Sequence, residues 1–456
     1  MPEPAREPGS GTEPARPGAP RPARAWSESL GRLRAAATTE PGRLRIIGAV
    51  LAAVVAVFGA ATAWQVDDRA AAAADVVGRS QPLSADAASI YRSLADADTA
   101  SSSGFLAGEK ESRELRERYL ADIANASRLL VKAAANTSGA DRSRQEIALL
   151  GEGLPRYTGL IEQARANNRQ GLPLGGAYLR YANEQMSEEL LPAAQRLYEA
   201  ETGRLYRDYE AADAWPWPAL GAGLLALGVL AWAQRRNYLR THRVFNHGLL
   251  LATAASVAVL LWLVAGHTVA RSGLVESRTD GQESLKVLND ARISSLQARA
   301  NENLTLVSRG AVLAADNKSD KYDVDFAGNM NELDTRLARA ARLADDLAGA
   351  EPVSRAAAAV REWQERHRAA RATDVQGDYQ GALDQVIGRT GSTGASFDVV
   401  DAALQEAVAH EQEEFTRAAR GGAGAFGGLV AGAVVLALLG AVGAVLGIGR
   451  RLSEYR

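Results

Sequence analysis

IIGAVLAAVVAVFGAATAW, the stretch from Ile46 to Trp64, contains no charged side chain. A helix of roughly 20 apolar residues is what the hydrocarbon core of a bilayer demands. Three further stretches meet the same condition, so four spans are expected over 44–64, 215–233, 248–266 and 424–449. Between their charge-free ends none carries an ionisable group, which a proton relay or ion path would need. A pump or transporter is therefore not expected.

Basic residues flanking the spans set the orientation. Arg32, Arg34, Arg43 and Arg45 precede the first span. Arg235, Arg236, Arg240 and Arg243 lie between the second and third, and Arg450, Arg451 and Arg456 follow the fourth. If the spans alternate, all three groups fall on one side, and the excess of positive charge makes that side cytoplasmic. Both termini, a basic loop over 234–247 and a short tail over 450–456 are then inside the plasma membrane. Segments 65–214 and 267–423 face outward. Trp64, Trp215, Trp217, Trp232 and Trp262 sit where interfacial aromatics belong. The Ala61-Thr62-Ala63 triplet fits a signal-peptide cleavage site, but the preceding region is too long and the apolar run exceeds the usual ~7–15 residues. A retained span is the reading adopted.

The two outward segments look like copies of each other. Leu94 to Gly108 matches Leu296 to Gly310 in length and in its apolar and glycine positions. Tyr119–Ala124 matches Tyr322–Ala327, and Ala164-Arg165-Ala166 with Gln170-Gly171 matches Ala370-Arg371-Ala372 with Gln376-Gly377. These matches are collinear, and the spans share their offset. The implied unit is span, outer domain, span, present twice in the same topology.

Within each copy the periodicity is helical. Phe326, Met330, Leu333, Leu337, Ala340, Ala344 and Leu347 step alternately by four and three, as in a coiled-coil seam. Leu115, Tyr119, Ile123, Ala126 and Leu130 form the corresponding stripe in the first copy. With turn signals between stripes, each outer segment reads as an antiparallel four-helix bundle. Pro192 and the run Gly388 to Gly394 should bend or break the fourth helix of each bundle. The fold expected is an all-α membrane protein with four transmembrane helices and two tandem extracytoplasmic bundles. Residues 1–43 form a Pro/Arg-rich cytoplasmic tail. Its first 25 residues hold seven prolines, a composition that cannot bury a core and stays disordered.

Composition narrows the chemistry. The net charge of −2 excludes a polycation built to coat nucleic acid, and the absence of cysteine excludes thiolate metal sites and cysteine nucleophiles. No phosphate-binding loop, zinc-protease helix or serine-hydrolase elbow occurs, so no enzyme, catalytic residue, cofactor or metal site is expected. His242, His247, His267, His367 and His410 read as interfacial or surface residues. The acidic run Asp316, Asp320, Asp323 and Asp325 lacks the glycine and distal glutamate of a calcium loop and reads as helix capping. Phe105 and Gly108 end the first bundle helix. They could form a partner-binding tip or merely a C-cap glycine and its apolar contact. Arg235, Arg236, Arg240 and Arg243 could dock an acidic partner or lipid headgroups, or serve only as a topology signal. Gly424, Gly428 and Gly432 form overlapping GxxxG steps suited to packing among the spans or to a homodimer, and Gly443 with Gly447 forms another. Arg92 and Arg292 could hold a ligand carboxylate between helices.

The segment ending in Phe105-Leu106-Ala107-Gly108, the Gln170-Gly171 and Gln376-Gly377 turns, and the architecture as a whole resemble the GlnX family of actinobacterial membrane proteins. That family is linked to a glutamine/glutamate-binding lipoprotein and to a soluble serine/threonine kinase, protein kinase G. The resemblance implies a non-enzymatic relay that passes extracellular glutamate and aspartate availability from an amino-acid-binding lipoprotein outside to the kinase inside, adjusting glutamate and 2-oxoglutarate metabolism. It carries no ligand residue over. A chemoreceptor-like sensor that binds its ligand directly, and a structural envelope assembly factor, are the other readings.

Overall fold

The computed structural model describes residues 40–108, 111–136, 141–241, 246–276, 278, 281–388 and 390–453. Among them no strand forms, and the one β-bridge pairs Leu313 with Asp320 inside a turn. The first half runs α1 (Glu40–Asp75), a π-helical turn (Val76–Ser80), α2 (Gln81–Ala107), α3 (Arg113–Asn136), α4 (Asp141–Arg169), α5 (Leu174–Gln185), a second π turn (Met186–Leu190), α6 (Leu191–Asp213) and α7 (Trp217–Thr241). The second half repeats the order: α8 (His247–Glu276), α9 (Gln282–Ser308), α10 (Lys321–Leu343), α11 (Leu347–Val375), α12 (Tyr379–Ile387), α13 (Thr393–Gly424) and α14 (Leu429–Ser453). Four helical stretches, Gly42–Ala107, Leu174–Leu239, His247–Val275 and Thr393–Arg450, are each long and apolar enough to cross a membrane. The chain is an all-α membrane protein.

It divides into two compact units. One comprises the described part of Met1–Ala63 with Trp217–Leu261 and Ala431–Arg456. Leu51 and Val55 of α1, Leu230 of α7, Leu249 and Ala252 of α8 and Ala444 of α14 bury one layer of it. Phe58, Ala226, Val259 and Ala433 bury another. Its outer faces carry exposed Leu224, Leu261, Leu438 and Leu446, as lipid-facing helices do. Backbones approach closely at Gly248, where a Cβ would lie 2.4 Å from both the Gly443 carbonyl oxygen and the Gly447 Cα. Asn246 Nδ2 donates to the Gly447 carbonyl at 2.8 Å across the same contact. Small residues thus let α8 and α14 touch backbone to backbone.

The run Gly424, Gly428 and Gly432 does not supply such a face. Gly424 ends α13, Gly428 sits in the following turn at φ 80°, and a Cβ on either would meet open space. Because the helix is interrupted there, the steps of four no longer align on one side, and the packing surface falls to Gly443 and Gly447.

The second unit, Trp64–Pro216 with Trp262–Val430, holds both inter-span segments. Its core is continuous through the two copies, from Ile90, Leu94, Tyr119, Tyr157 and Leu197 to Leu296, Phe326, Trp363 and Leu404. The expected stripes face inward. Tyr119, Ala126 and Leu130 are buried, with Leu115 and Ile123 packed against them, and Phe326 through Ala340 are buried on α10. The α10 stripe stops early, since α10 ends at Leu343 and Leu347 beyond the turn is 88% exposed. In the first copy Pro192 sits at the start of α6, directly after the Met186–Leu190 π turn, and the helix runs on. In the second copy the chain breaks between α12 and α13, where Gly391 takes φ 68°.

What joins the copies is the unusual burial of α2 and α9. Every residue of α2 from Ser93 to Ser102 is buried, polar ones included. Thr99 Oγ1 donates to the Leu296 carbonyl at 2.8 Å, and Asn303 Nδ2 donates to Ser102 Oγ at 3.0 Å and Ser103 Oγ at 2.8 Å. These partners are 197 to 201 residues apart, close to the offset between α2 and α9 themselves (282 − 81 = 201). Equivalent residues therefore meet at equal height, and the two helices run parallel about a pseudo-two-fold axis.

Candidate functional site

The seam between the copies concentrates charge that a helical core does not need. Arg118 on α3 reaches Asp96 on α2 at 2.7 Å and Asp401 on α13 at 2.9 Å. Arg292 on α9 reaches the other Asp401 oxygen at 2.7 Å. Asp401 is thus gripped by one guanidinium from each copy, in the charge-assisted geometry that arginine forks favour. One turn from Asp96 along the seam, Arg92 donates to Asn289. Burial lowers the Arg92 guanidinium to about 10, helped by repulsion from Arg292. Burial raises the Asp96 carboxyl despite the pull of Arg118. Asp122, one turn beyond Arg118, is pushed up to about 7 by burial and then by the Asp96 charge. Its Oδ2 has no hydrogen-bond partner.

Beside this network lies a cavity of about 400 Å³. The first copy contributes Asp96, Thr99, Ser103 and Arg118, and the second contributes Arg299, Gly394, Phe397 and Asp398. Arg299 is fixed from behind. It donates to Glu302 at 2.5 Å, to Thr393 Oγ1 at 3.0 Å and to the Val386 carbonyl at 3.1 Å. Glu302 also accepts from Trp363 Nε1 at 3.1 Å and lies 2.9 Å from His367 Nδ1. His367 Nε2 lies 3.2 Å from Asp323, and the Phe326 ring stacks on the imidazole. Burial works against charge on both His367 and Glu302. The contacts win: Asp323 and Glu302 raise the imidazole, while Arg299 and His367 lower the Glu302 carboxyl. The first copy has a different polar centre, the fully buried Asp98, which accepts from Asn183 at 2.8 Å and Tyr157 at 3.1 Å. Burial pushes it up to about 6 against those two bonds. A second concavity, an open groove of about 660 Å³ between α4 and α5, is rimmed by Glu184, Glu188 and Glu189. Among the described residues, Arg156 is the one basic residue that lines it.

Chemically, the cavity offers two guanidinium groups, two carboxylates and the three hydroxyls of Thr99, Ser103 and Ser112 at the junction of two repeats. Such a set suits a small ligand carrying both a carboxylate and an ammonium group, and the volume falls within the range of ligand pockets.

The sequence-derived candidates fall elsewhere. Phe105 is half-buried against the shared core, and Gly108 takes φ 55° as the C-cap of α2, the conformation that a capping glycine permits. In the second copy the cap is Arg309, with φ 47°, and Gly310 follows it at φ 74°. Arg235 is exposed, and the Arg236 guanidinium lies 5.4 Å over the Trp232 ring. Arg243 and the side chain of Arg240 lie outside the described residues. Arg92 and Arg292 both lie at the seam, where Arg92 donates to Asn289 and Arg292 to Asp401. Asp320 and Asp316 cap and close a turn: Asp320 accepts from Tyr322 N, and Asp316 from Ser319 N and Oγ. Of the histidines expected at an interface or the surface, His367 is instead buried in the second bundle at 5% exposure, while His267 is buried at the end of the third span. Asp96, Arg118, Arg299, Glu302 and Asp401 were not singled out in the sequence. The signal available was charge placed inside runs of small and apolar residues, as in Leu94-Ala95-Asp96-Ala97-Asp98.

Residues 72–210 match the model of a family described as the actinobacterial sensor domain. The matched segment runs from the end of α1 through nearly all of α6, most of the inter-span part of the first copy. It supports a sensor role for the protein and an actinobacterial kinship. No curated protein and no solved structure matches the chain.

Proposed function

We propose that the protein is a non-enzymatic transmembrane sensor that reports extracellular amino-acid availability to a cytoplasmic partner. One observation carries the reading. Asp96 and Asp401, which close the seam between the copies, lie on the stretches Gly42–Ala107 and Thr393–Arg450, the second with a turn at 425–428, and each stretch also contains a candidate membrane span. A signal that favours one arrangement of the seam shifts the population of those helices by its differential affinity for the two arrangements. In this reading the basic loop and both termini are cytoplasmic in the plasma membrane. The input arrives through a glutamine/glutamate-binding lipoprotein, and the output is a soluble serine/threonine kinase controlling glutamate and 2-oxoglutarate metabolism.

The seam cavity favours a second reading, in which a free amino acid binds directly. Titration calorimetry on the full chain in nanodiscs separates the two. Heat from a solute-binding lipoprotein, with none from glutamate, aspartate or glutamine alone, supports the relay. Heat from a free amino acid, lost in Arg118→Met, supports direct sensing. A deletion strain whose response to external glutamate and aspartate is unchanged contradicts both.

A further inference from the structure

Late in α13, His410 and Glu414 stand one helical turn apart on the same face. The turn between α10 and α11 brings Asp346 against them. His410 Nε2 lies 3.2 Å from Asp346 Oδ1 and 3.7 Å from Glu414 Oε2, and one ligand atom from each of the three residues lies within 4.8 Å of the others. Four ligands at ~2.0–2.1 Å around a tetrahedral zinc ion are spaced about 3.4 Å apart. The three side chains are therefore already near coordination distance.

The imidazole stands at ion-pair distance from both carboxylates at once. A protonated imidazole pointing its N–H at a carboxylate would form an aligned bond. His410 Nε2 is instead shielded from solvent and aligned squarely with neither carboxylate, although Asp346 Oδ1 and Glu414 Oε2 both stand close by. Asp346 is held in place independently, because its Oδ1 accepts from Gly349 N at 2.6 Å as the N-cap of α11. Gly349 admits the crowding: a Cβ there would lie 3.3 Å from Asp346 Oδ1 and 3.5 Å from His410 Cδ2. The remaining Glu414 oxygen faces Arg417 at 3.7 Å, which orients the carboxylate from outside.

We propose that Asp346, His410 and Glu414 form a divalent-cation site that takes zinc, with a fourth position left for water. One imidazole nitrogen with two carboxylate oxygens is a borderline donor set that favours zinc over magnesium or calcium, which prefer all-oxygen shells. Bound metal ties the α10–α11 turn to α13 and so fixes the start of α11 against the last helix of the second copy. The site shares no residue with the seam cavity and does not depend on the sensor reading.

The test uses the full chain in detergent, without a histidine tag, stripped with chelator and titrated with Zn²⁺ alone. Equilibrium dialysis with elemental analysis should find one equivalent bound, and the melting temperature should rise on zinc addition. His410→Gln and Glu414→Gln should each weaken binding at least ten-fold and abolish the zinc-dependent melting shift, while their metal-free melting temperatures stay near that of the parent. Magnesium at the same concentration should produce no shift. No zinc bound by the parent chain, or the same stoichiometry and affinity in both variants, would overturn the proposal.

Discussion

Asp401→Ala probes the seam most sharply. The carboxylate is 10% exposed and joins Arg118 of the first copy to Arg292 of the second, which are 33% and 13% exposed. Deleting one partner of a buried ion pair costs about 3–5 kcal/mol, because the charge left behind has lost its compensation. Here Arg292 is left without its partner, and Arg118 loses one of its two. Arg118 keeps Asp96 and reaches water, so we place the cost at or below the bottom of that range, ~2–3 kcal/mol. At roughly 2 °C per kcal/mol for a unit of this size, the melting temperature should fall by about 4–6 °C. Scanning fluorescence of the full chain in detergent at pH 7.5 measures it, with Asp401→Asn expected to fall in between because it keeps one acceptor. A cycle with Arg118→Met should show coupling of about 1–2 kcal/mol. A shift below about 1 °C, or strictly additive variants, would refute the view that this bridge locks the copies together.

Other perturbations follow from the same geometry. Asp122 has a folded pKa of about 7, above its unfolded value, so its contribution to stability is greatest at low pH and is lost as pH rises through the folded value. Asp122→Asn should therefore raise the melting temperature at pH 8 and change it little at pH 4.5; an equal effect at both would contradict the assignment. The His367 pKa is raised by Asp323 and Glu302 against burial, so its stabilising charge is full below the ordinary imidazole value of about 6.5 and fades as pH rises through the folded value. The melting deficit of His367→Gln should accordingly shrink between pH 6 and pH 9, which a buffer series would reveal. Gly248→Val should destabilise the span unit, because its Cβ would sit 2.4 Å from the backbone of Gly447. Loss of detergent-solubilised monodisperse protein is the readout, and a fully tolerated valine would mean that α8 and α14 do not approach this closely.

The apolar spans and helical stripes were legible because they are periodic and local. Leu115 to Leu130 and Phe326 to Ala340 face the core as their spacing requires. The repeated element order could likewise be read from matched turns such as Gln170-Gly171 and Gln376-Gly377. The shared core was not legible, because a stripe shows only that a face is buried and not which copy covers it. Two separate bundles and one joined unit give the same periodicity along α2 and α9. Glycine spacing misled for a related reason: Gly424, Gly428 and Gly432 satisfy the pattern, but Gly428 leaves the helix at φ 80°. The charged seam is invisible in sequence since its members, Asp96, Arg118, Arg292 and Asp401, come from four helices of two repeats. The proposed cation cluster could not be read from the sequence either, because it joins His410 and Glu414, one turn apart, to Asp346 from another helix start.

The sensor account stands on both repeats lying outside the cell and the α7 end lying inside. The chain has no cysteine, so single cysteines can report each position without background. Ser187→Cys, Ser354→Cys and Tyr238→Cys all replace exposed residues. A membrane-impermeant maleimide applied to intact cells should label positions 187 and 354 and reach 238 only after lysis. Labelling at 238 in intact cells, or protection of 187 or 354 until lysis, would contradict the account.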